Sequence, residues 1–341
     1  MRLVRPLASL KLTLPAMVML ALAIFLSYRR EDTSVWWMVV PLTGLSVNLL
    51  CAIAVQRSLR TRPALLLFHL CLLALCLLIS LSQLCSFRAR VELVQGQAFD
   101  PRAITVLDQG PWADLQALRA VRFIQGDVRI DYQPALVRVA TQSQVHTATS
   151  DAAEPFETAI RFGDSQPLRI HRYRFYTTSN KGFAAILDWQ PDGAPARRGA
   201  VHFPSYPLND WQQSNRWTTP DGQRLDLELS IERPIAFDRA WTLNESARHW
   251  VQGLRVHDVG SPSMAQPRLL RVGESIRLER GTLSYRGTRL WMGYNLVHQP
   301  YLDLILVVGV VAIAALGWHF GRVQTRAAPA RGRDARSRAH A

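Results

Sequence analysis

Four apolar windows constrain what this chain can fold into. They lie at about 12–28 (LTLPAMVMLALAIFLSY), 35–55 (VWWMVVPLTGLSVNLLCAIAV), 64–84 and 301–320 (YLDLILVVGVVAIAALGWHF). As a helix, each run of about 17–21 residues spans a hydrocarbon layer roughly 30 Å thick at 1.5 Å per residue. The first window is followed by Tyr28-Arg29-Arg30-Glu31-Asp32 and no small-residue cleavage site, so it reads as a retained anchor. The expected fold is an integral membrane protein with four transmembrane α-helices, three before and one after a large exported β-rich domain. The expected boundaries are a membrane domain at 1–85, the β-rich domain at 86–300, the fourth helix at 301–320 and a basic disordered tail at 321–341.

Charge orients the helices. Arg2, Arg5 and Lys11 precede the first, Arg57, Arg60 and Arg62 separate the second from the third, and six arginines follow the fourth. The loop with Arg29, Arg30, Glu31 and Asp32 is neutral. The positive-inside rule then puts both termini in the cytoplasm and 86–300 on the opposite side. Of the formal net charge of +14, the 86–300 segment carries 26 basic and 22 acidic residues, or +4, and the short flanks carry the remaining +10. The basic balance therefore marks topology and contact with anionic lipid, and nucleic acid is excluded as a partner.

The four cysteines, Cys51, Cys71, Cys76 and Cys85, lie in or beside the apolar windows. No disulfide framework or CxxC, CxxCH or zinc spacing holds the exported segment. That segment alternates in the manner of strands at 90–96, 121–132, 136–141, 168–178, 182–189, 200–203, 224–232, 254–259 and 275–297. Turn signals stand at 191–193 (PDG), 220–222 (PDG) and 280–281 (RG), and WADLQALRA at 112–120 suits a short helix. No G-x-S-x-G, HExxH, P-loop or G-x-G-x-x-G motif is present, and His146, His171, His202, His249, His257 and His298 do not pair at metal-ligand spacing.

The third window holds an ionisable group, His69, among leucines. At about 100° per residue, Cys76, Ser80 and Gln83 fall within about 40° of His69. The other faces are apolar apart from Cys71 and Ser82. Such a stripe must meet other helices or a wet cavity. Either Ser80 and Gln83 glue helices together while His69 bonds a neighbouring backbone carbonyl, or His69 presents a neutral imidazole to a metal, haem iron first among the choices. His69 sits roughly 8 Å inside the cytoplasmic edge. His298, just outside the last helix, and His319, at its cytoplasmic end beside Trp318, are weaker ligand candidates, with interfacial placement as the alternative.

Several local patterns fall in a familiar order. The second window carries Trp36, Trp37, Asn48, Leu49, Cys51 and Arg57, and the third opens with Phe68, His69 and Leu70. Leu93, Gly96 and Phe99 follow, and the entry to the fourth helix holds Gly293, Tyr294, Pro300 and Gly309. Together with the three-plus-one layout, this resembles the ResB (CcsB) family of System II cytochrome c biogenesis proteins. The likeness covers the helices and the domain edges; within 100–280 it is best at 169–184. The family's Asp-Pro-Gly before the last helix is replaced by Gln299-Pro300-Tyr301.

The resemblance implies a subunit that works with a ResC/CcsA-type membrane partner to export haem and attach it to apocytochrome c. It implies a bacterial inner-membrane location, with 86–300 periplasmic. His69 is the implied haem axial ligand, with Cys76, Ser80 and Gln83 lining its face. The tryptophan-rich WWD motif belongs to the partner, and Trp36-Trp37 inside a helix is not one, so this chain would not complete ligation alone. The rival expectation is a membrane-tethered binding or sensing module with no haem role.

Overall fold

A computed structural model describes residues 4–29, 34–147, 158–208, 211–232, 238–258 and 266–327. The tail at 328–341 lies outside the described residues. Seven helices are defined: α1 (Val4–Leu7), α2 (Leu10–Arg29), α3 (Trp36–Val55), α4 (Arg57–Arg60), α5 (Pro63–Cys85), α6 (Gln116–Arg119) and α7 (Leu302–Ala327). Among the described residues, α2, α3, α5 and α7 are long and apolar enough to cross a membrane. They match the four windows within a few residues, because no other backbone form satisfies its own polar groups in lipid.

The chain divides into two compact units. The first comprises Met1–Arg88, Leu107–Asp114 and His298–Ala341, and the second Ala89–Val106 with Leu115–Val297. In the helical unit, α5 packs against both α3 and α7, and α3 also packs against α2. Asn48, on α3, is spent on this assembly. Its Nδ2 donates to the carbonyls of Leu7 (2.6 Å) and Ser9 (3.2 Å), and its Oδ1 accepts from the Thr13 hydroxyl (2.8 Å). In an apolar setting such bonds are worth about 0.6–2 kcal/mol each. The segment 107–114 returns to the end of α5, where the Trp112 N–H donates to Leu84 O (2.9 Å) and the Gly110 N–H to Ser86 O (2.9 Å). Carbonyls that a helix end leaves orphaned are thereby satisfied.

The strands are β1 (Phe87–Val94), β2 (Thr105–Gln109), β3 (Phe123–Gln133), β4 (Val137–Thr147), β5 (Thr158–Gly163), β6 (Leu168–Ile170), β7 (Tyr173–Pro191) and β8 (Arg197–His202). They continue as β9 (Ser214–Thr218), β10 (Arg224–Ile231), β11 (Trp241–Leu243), β12 (Val251–Asp258), β13 (Arg268–Leu270), β14 (Ser275–Leu278) and β15 (Gly281–His298). One seven-stranded sheet has the order β2-β1-β15-β7-β6, with β14 added to β15 and β8 to β7. Two four-stranded sheets run β13-β12-β10-β9 and β11-β3-β4-β5.

β7 and β15 form the axis of the large sheet. They pair antiparallel from Gly281↔Pro191 to Val297↔Arg174, with bulges at Tyr285/Gly287 and Met292/Tyr294. Their inward side chains, including Phe175, Phe183, Trp189, Met292 and Leu296, are fully buried, each stabilising the fold by about 1.5–3 kcal/mol. Phe99 stacks on Phe123 (5.1 Å), and both rings meet Phe175 edge-on (5.5 and 5.2 Å). The Leu93–Gly96–Phe99 pattern is thus packing plus a turn, since Gly96 has φ +84°.

The expected turns at 191–193, 220–222 and 280–281 fall between β7 and β8, β9 and β10, and β14 and β15. The single strand expected at 168–178 is instead two strands. His171, at φ +52°, turns the chain so that β6 folds back on β7, pairing Ile170 with Tyr173. The expected helix at 112–120 shrinks to the four residues of α6.

Candidate functional site

His69 stands in the second turn of α5, half-buried, with its ring edge-on to Phe68 at 5.5 Å. Its Nδ1 lies 2.7 Å from the Leu65 carbonyl oxygen, one turn back along the helix. A carbonyl oxygen can only accept, so Nδ1 carries the proton and donates. In the neutral ring, Nε2 then holds the lone pair. An Nδ1–H bonded to a backbone carbonyl is the usual way a metal-binding imidazole is oriented.

Along the rest of the stripe the described bonds stay within or at the end of α5, through the Ser80 hydroxyl and the backbone carbonyls of Cys76 and Gln83. The Ser80 hydroxyl donates to Cys76 O at 2.8 Å, and Ser80 is buried. Gln83 is half-buried, and its carbonyl accepts from the Ser86 N–H (3.4 Å) and hydroxyl (3.0 Å). The interhelical bond comes from Ser82, which lies off the stripe. Its hydroxyl donates to Pro300 O at 2.8 Å, on the approach to α7. Ser82 is about 140° around α5 from His69, and buried Cys71 and Ala64 fall on the same side. α7 therefore covers the face opposite the stripe. α3 is the other long helix packed on α5.

His319 belongs to α7 and so to the face opposite His69. Counting from the Ser82–Pro300 bond at 1.5 Å per residue, it also lies about 9 Å deeper along the bundle than His69. Its ring meets Phe320 at 5.6 Å, and Arg322 lies over Trp318 at 4.7 Å, the composition of an interfacial belt. His298, at the end of β15, is buried. No group of three or more His, Cys, Asp or Glu positioned for a metal occurs among the described residues.

The β-rich domain holds polar clusters that motif reading missed. Lys181 is only 2% exposed, and its ammonium donates to the Thr141 hydroxyl at 2.7 Å. Burial pushes its pKa down to about 8, helped by Arg138 and opposed by Asp164. Asp164 accepts from Arg138 (2.6 Å), the Thr141 N–H (3.0 Å) and the Thr177 hydroxyl (3.2 Å), and these bonds outweigh burial to lower its own pKa. One signal could have found this cluster. Lys11 and Lys181 are the only lysines in a chain with 40 basic residues, so arginine is the surface cation here. Further along β15, the Tyr294 hydroxyl bridges Gln125 Oε1 and the Ser143 hydroxyl, both at 2.6 Å. Burial raises its pKa, so it stays protonated and structural.

Among the domain histidines, His171 forms the turn described above and His146 packs over Gly126. His257 lines a shallow recess beside Arg216 and Arg255. His202 and His249 line a separate cleft with several arginines. Neither family models nor curated proteins match this sequence.

Proposed function

We propose that this protein is a haem-handling subunit of a cytochrome c assembly complex, working beside a ResC/CcsA-type membrane partner and supplying haem to apocytochrome c. The observation that carries the reading is the Nδ1 bond from His69 to Leu65 O, which leaves Nε2 with a lone pair in an apolar helix. The described bond of the His69 ring stays within α5, and the bond from α5 to the residues before α7 is made by Ser82.

Haem is cargo in this account. His69 coordinates iron through Nε2. The Leu65 carbonyl fixes the ring and strengthens its donation. α5 and its neighbours keep water from the apolar macrocycle. Thioether formation needs reduced iron and placement of the vinyl groups against the apocytochrome thiols, so no acid–base residue of this chain is required. Cys76, Ser80 and Gln83 shape the face below the imidazole, and His298, buried at the end of β15, ranks below His69 as a ligand. The charge asymmetry supports cytoplasmic termini with the β-rich domain on the opposite side, and the resemblance points to the periplasm of a bacterial inner membrane.

The reading is tested in a strain deleted for the gene. Wild-type chain restores covalent haem staining of c-type cytochromes, and His69→Ala made at the same level does not. Normal staining with His69→Ala contradicts it.

A further inference from the structure

The β8 edge opens into a cleft of roughly 940 Å³ in the β-rich domain. The polarity of this edge can be deduced. The Phe203 N–H donates to Phe183 O, toward β7, while His202 O accepts from Asn215 Nδ2, away from it (2.6 Å). Backbone groups alternate sides along an antiparallel strand. The N–H and C=O of Ala200 and Arg198 therefore point away from β7, as those of His202 do, and β7 is the one strand paired with β8 among the described residues. Arg198 and Ala200 both line the cleft and are exposed.

On this edge and across the sheet from it, on β15, cations are held in place. Asp188 grips Arg198 through Nε (2.7 Å) and Nη2 (3.0 Å), and Arg286 through Nε (2.7 Å). These contacts hold its carboxyl down to about 2. Arg289 donates through Nη1 to Gln95 O at 2.8 Å, an approach that a Cβ on Gly96 would block. Each guanidinium keeps further N–H groups, and no carboxylate is among the residues lining the cleft. Two buried polar atoms have no hydrogen-bond partner among the described residues: Gln95 Oε1 and His202 Nε2, the latter on a ring whose Nδ1 faces Glu92 at 3.1 Å. Val94, Ile186 and Val272 supply an apolar floor.

We propose that this cleft receives an extended acidic peptide segment, which adds as a strand to the free edge of β8 and sets its carboxylates against Arg198, Arg286 and Arg289. Open backbone groups call for a strand, the arginines select acidic side chains, and the floor accepts the alternate apolar ones. Edge arginines often serve only to repel other strands. Here each exposed guanidinium is bonded, Arg198 and Arg286 to Asp188 and Arg289 to Gln95 O, which fixes its direction. The inference is independent of the haem reading, since none of its groups lies in the helices.

The test uses the full chain in phosphatidylcholine nanodiscs and a fluorescent peptide of about eight residues alternating Glu and Val. Anisotropy should report saturable binding, weakened about tenfold or more by Arg289→Gln, by alternate N-methylation of the peptide and by Ala200→Pro. Ala200→Pro removes an N–H that points away from β7 and follows a glycine, so the sheet itself tolerates it. Unchanged thermal unfolding establishes that each variant is folded. Equal binding of the N-methylated peptide, equal binding of a Lys/Val peptide, or full displacement by decanoate would each overturn the proposal. The last result would mark a small-molecule anion site.

Discussion

A single proton decides what His69 can do. Placed on Nδ1 by the Leu65 carbonyl, it frees Nε2 for an electron-pair acceptor. Ser82 illustrates the opposite role, with its hydroxyl committed to Pro300 O across the bundle. Ser82→Ala should lower the thermal stability of the purified chain by about 1 kcal/mol and leave haem content unchanged. Lys181 makes a second residue-scale prediction. Its ammonium loses its proton near pH 8 in the folded chain, whereas an exposed lysine holds it to about 10.4. Between those values the unfolded chain binds the extra proton, so stability rises with pH through this window. Below it, the buried charge is a standing penalty. Lys181→Met should therefore raise Tm at pH 7, and the gap should narrow by pH 10. Thr141 Oγ1 keeps the Arg138 donor at 2.8 Å, so the substitution leaves no orphan. These roles differ in how far the sequence exposes them. The stripe around His69 follows from helical spacing alone, but the partner of each hydroxyl does not. Ser82 looked marginal on the wheel because the wheel has no neighbouring helix on it.

The elements that were readable in advance carry a local signal. The four long helices show it in the length of their apolar runs, many strands in their alternation, and two residues, Glu279 and Arg280, suffice to join β14 to β15. The elements that were not readable depend on distant partners. β2, β9 and β11 are three to five residues long and exist because neighbouring strands complete them. The run at 168–178 alternates throughout, and nothing in that alternation reveals that His171 reverses the chain. Gly293 marks a point where the two long strands constrain each other. It sits at the β15 bulge, where a Cβ would press on Thr178 Oγ1 (2.7 Å) and Asn180 O (3.0 Å). Gly293→Val should destabilise the β-rich domain by about 1–3 kcal/mol, measured by chemical denaturation with tryptophan fluorescence. An unchanged midpoint would show that the bulge can open.

At the scale of the whole molecule, four membrane-crossing candidates and a three-sheet domain divide the labour. The long helices carry His69, on which the proposed haem role rests, and the β-rich domain carries the arginine cleft and the β8 edge. The likeness that linked these parts to haem rests on short motifs, and the structure explains several of them as packing. Asn48 ties α3 to the chain before it, Tyr294 anchors a buried network, and Phe99 completes an aromatic cluster. His69 is the motif residue whose Nε2 such packing leaves unexplained. The most direct measurement is therefore the haem spectrum of the chain co-expressed and purified with a ResC/CcsA-type membrane protein, comparing wild type, His69→Gly, and His69→Gly with imidazole added. The account predicts that His69→Gly lowers bound haem about tenfold or more and that imidazole restores it. Wild-type haem content and an unshifted spectrum in His69→Gly without imidazole would contradict it.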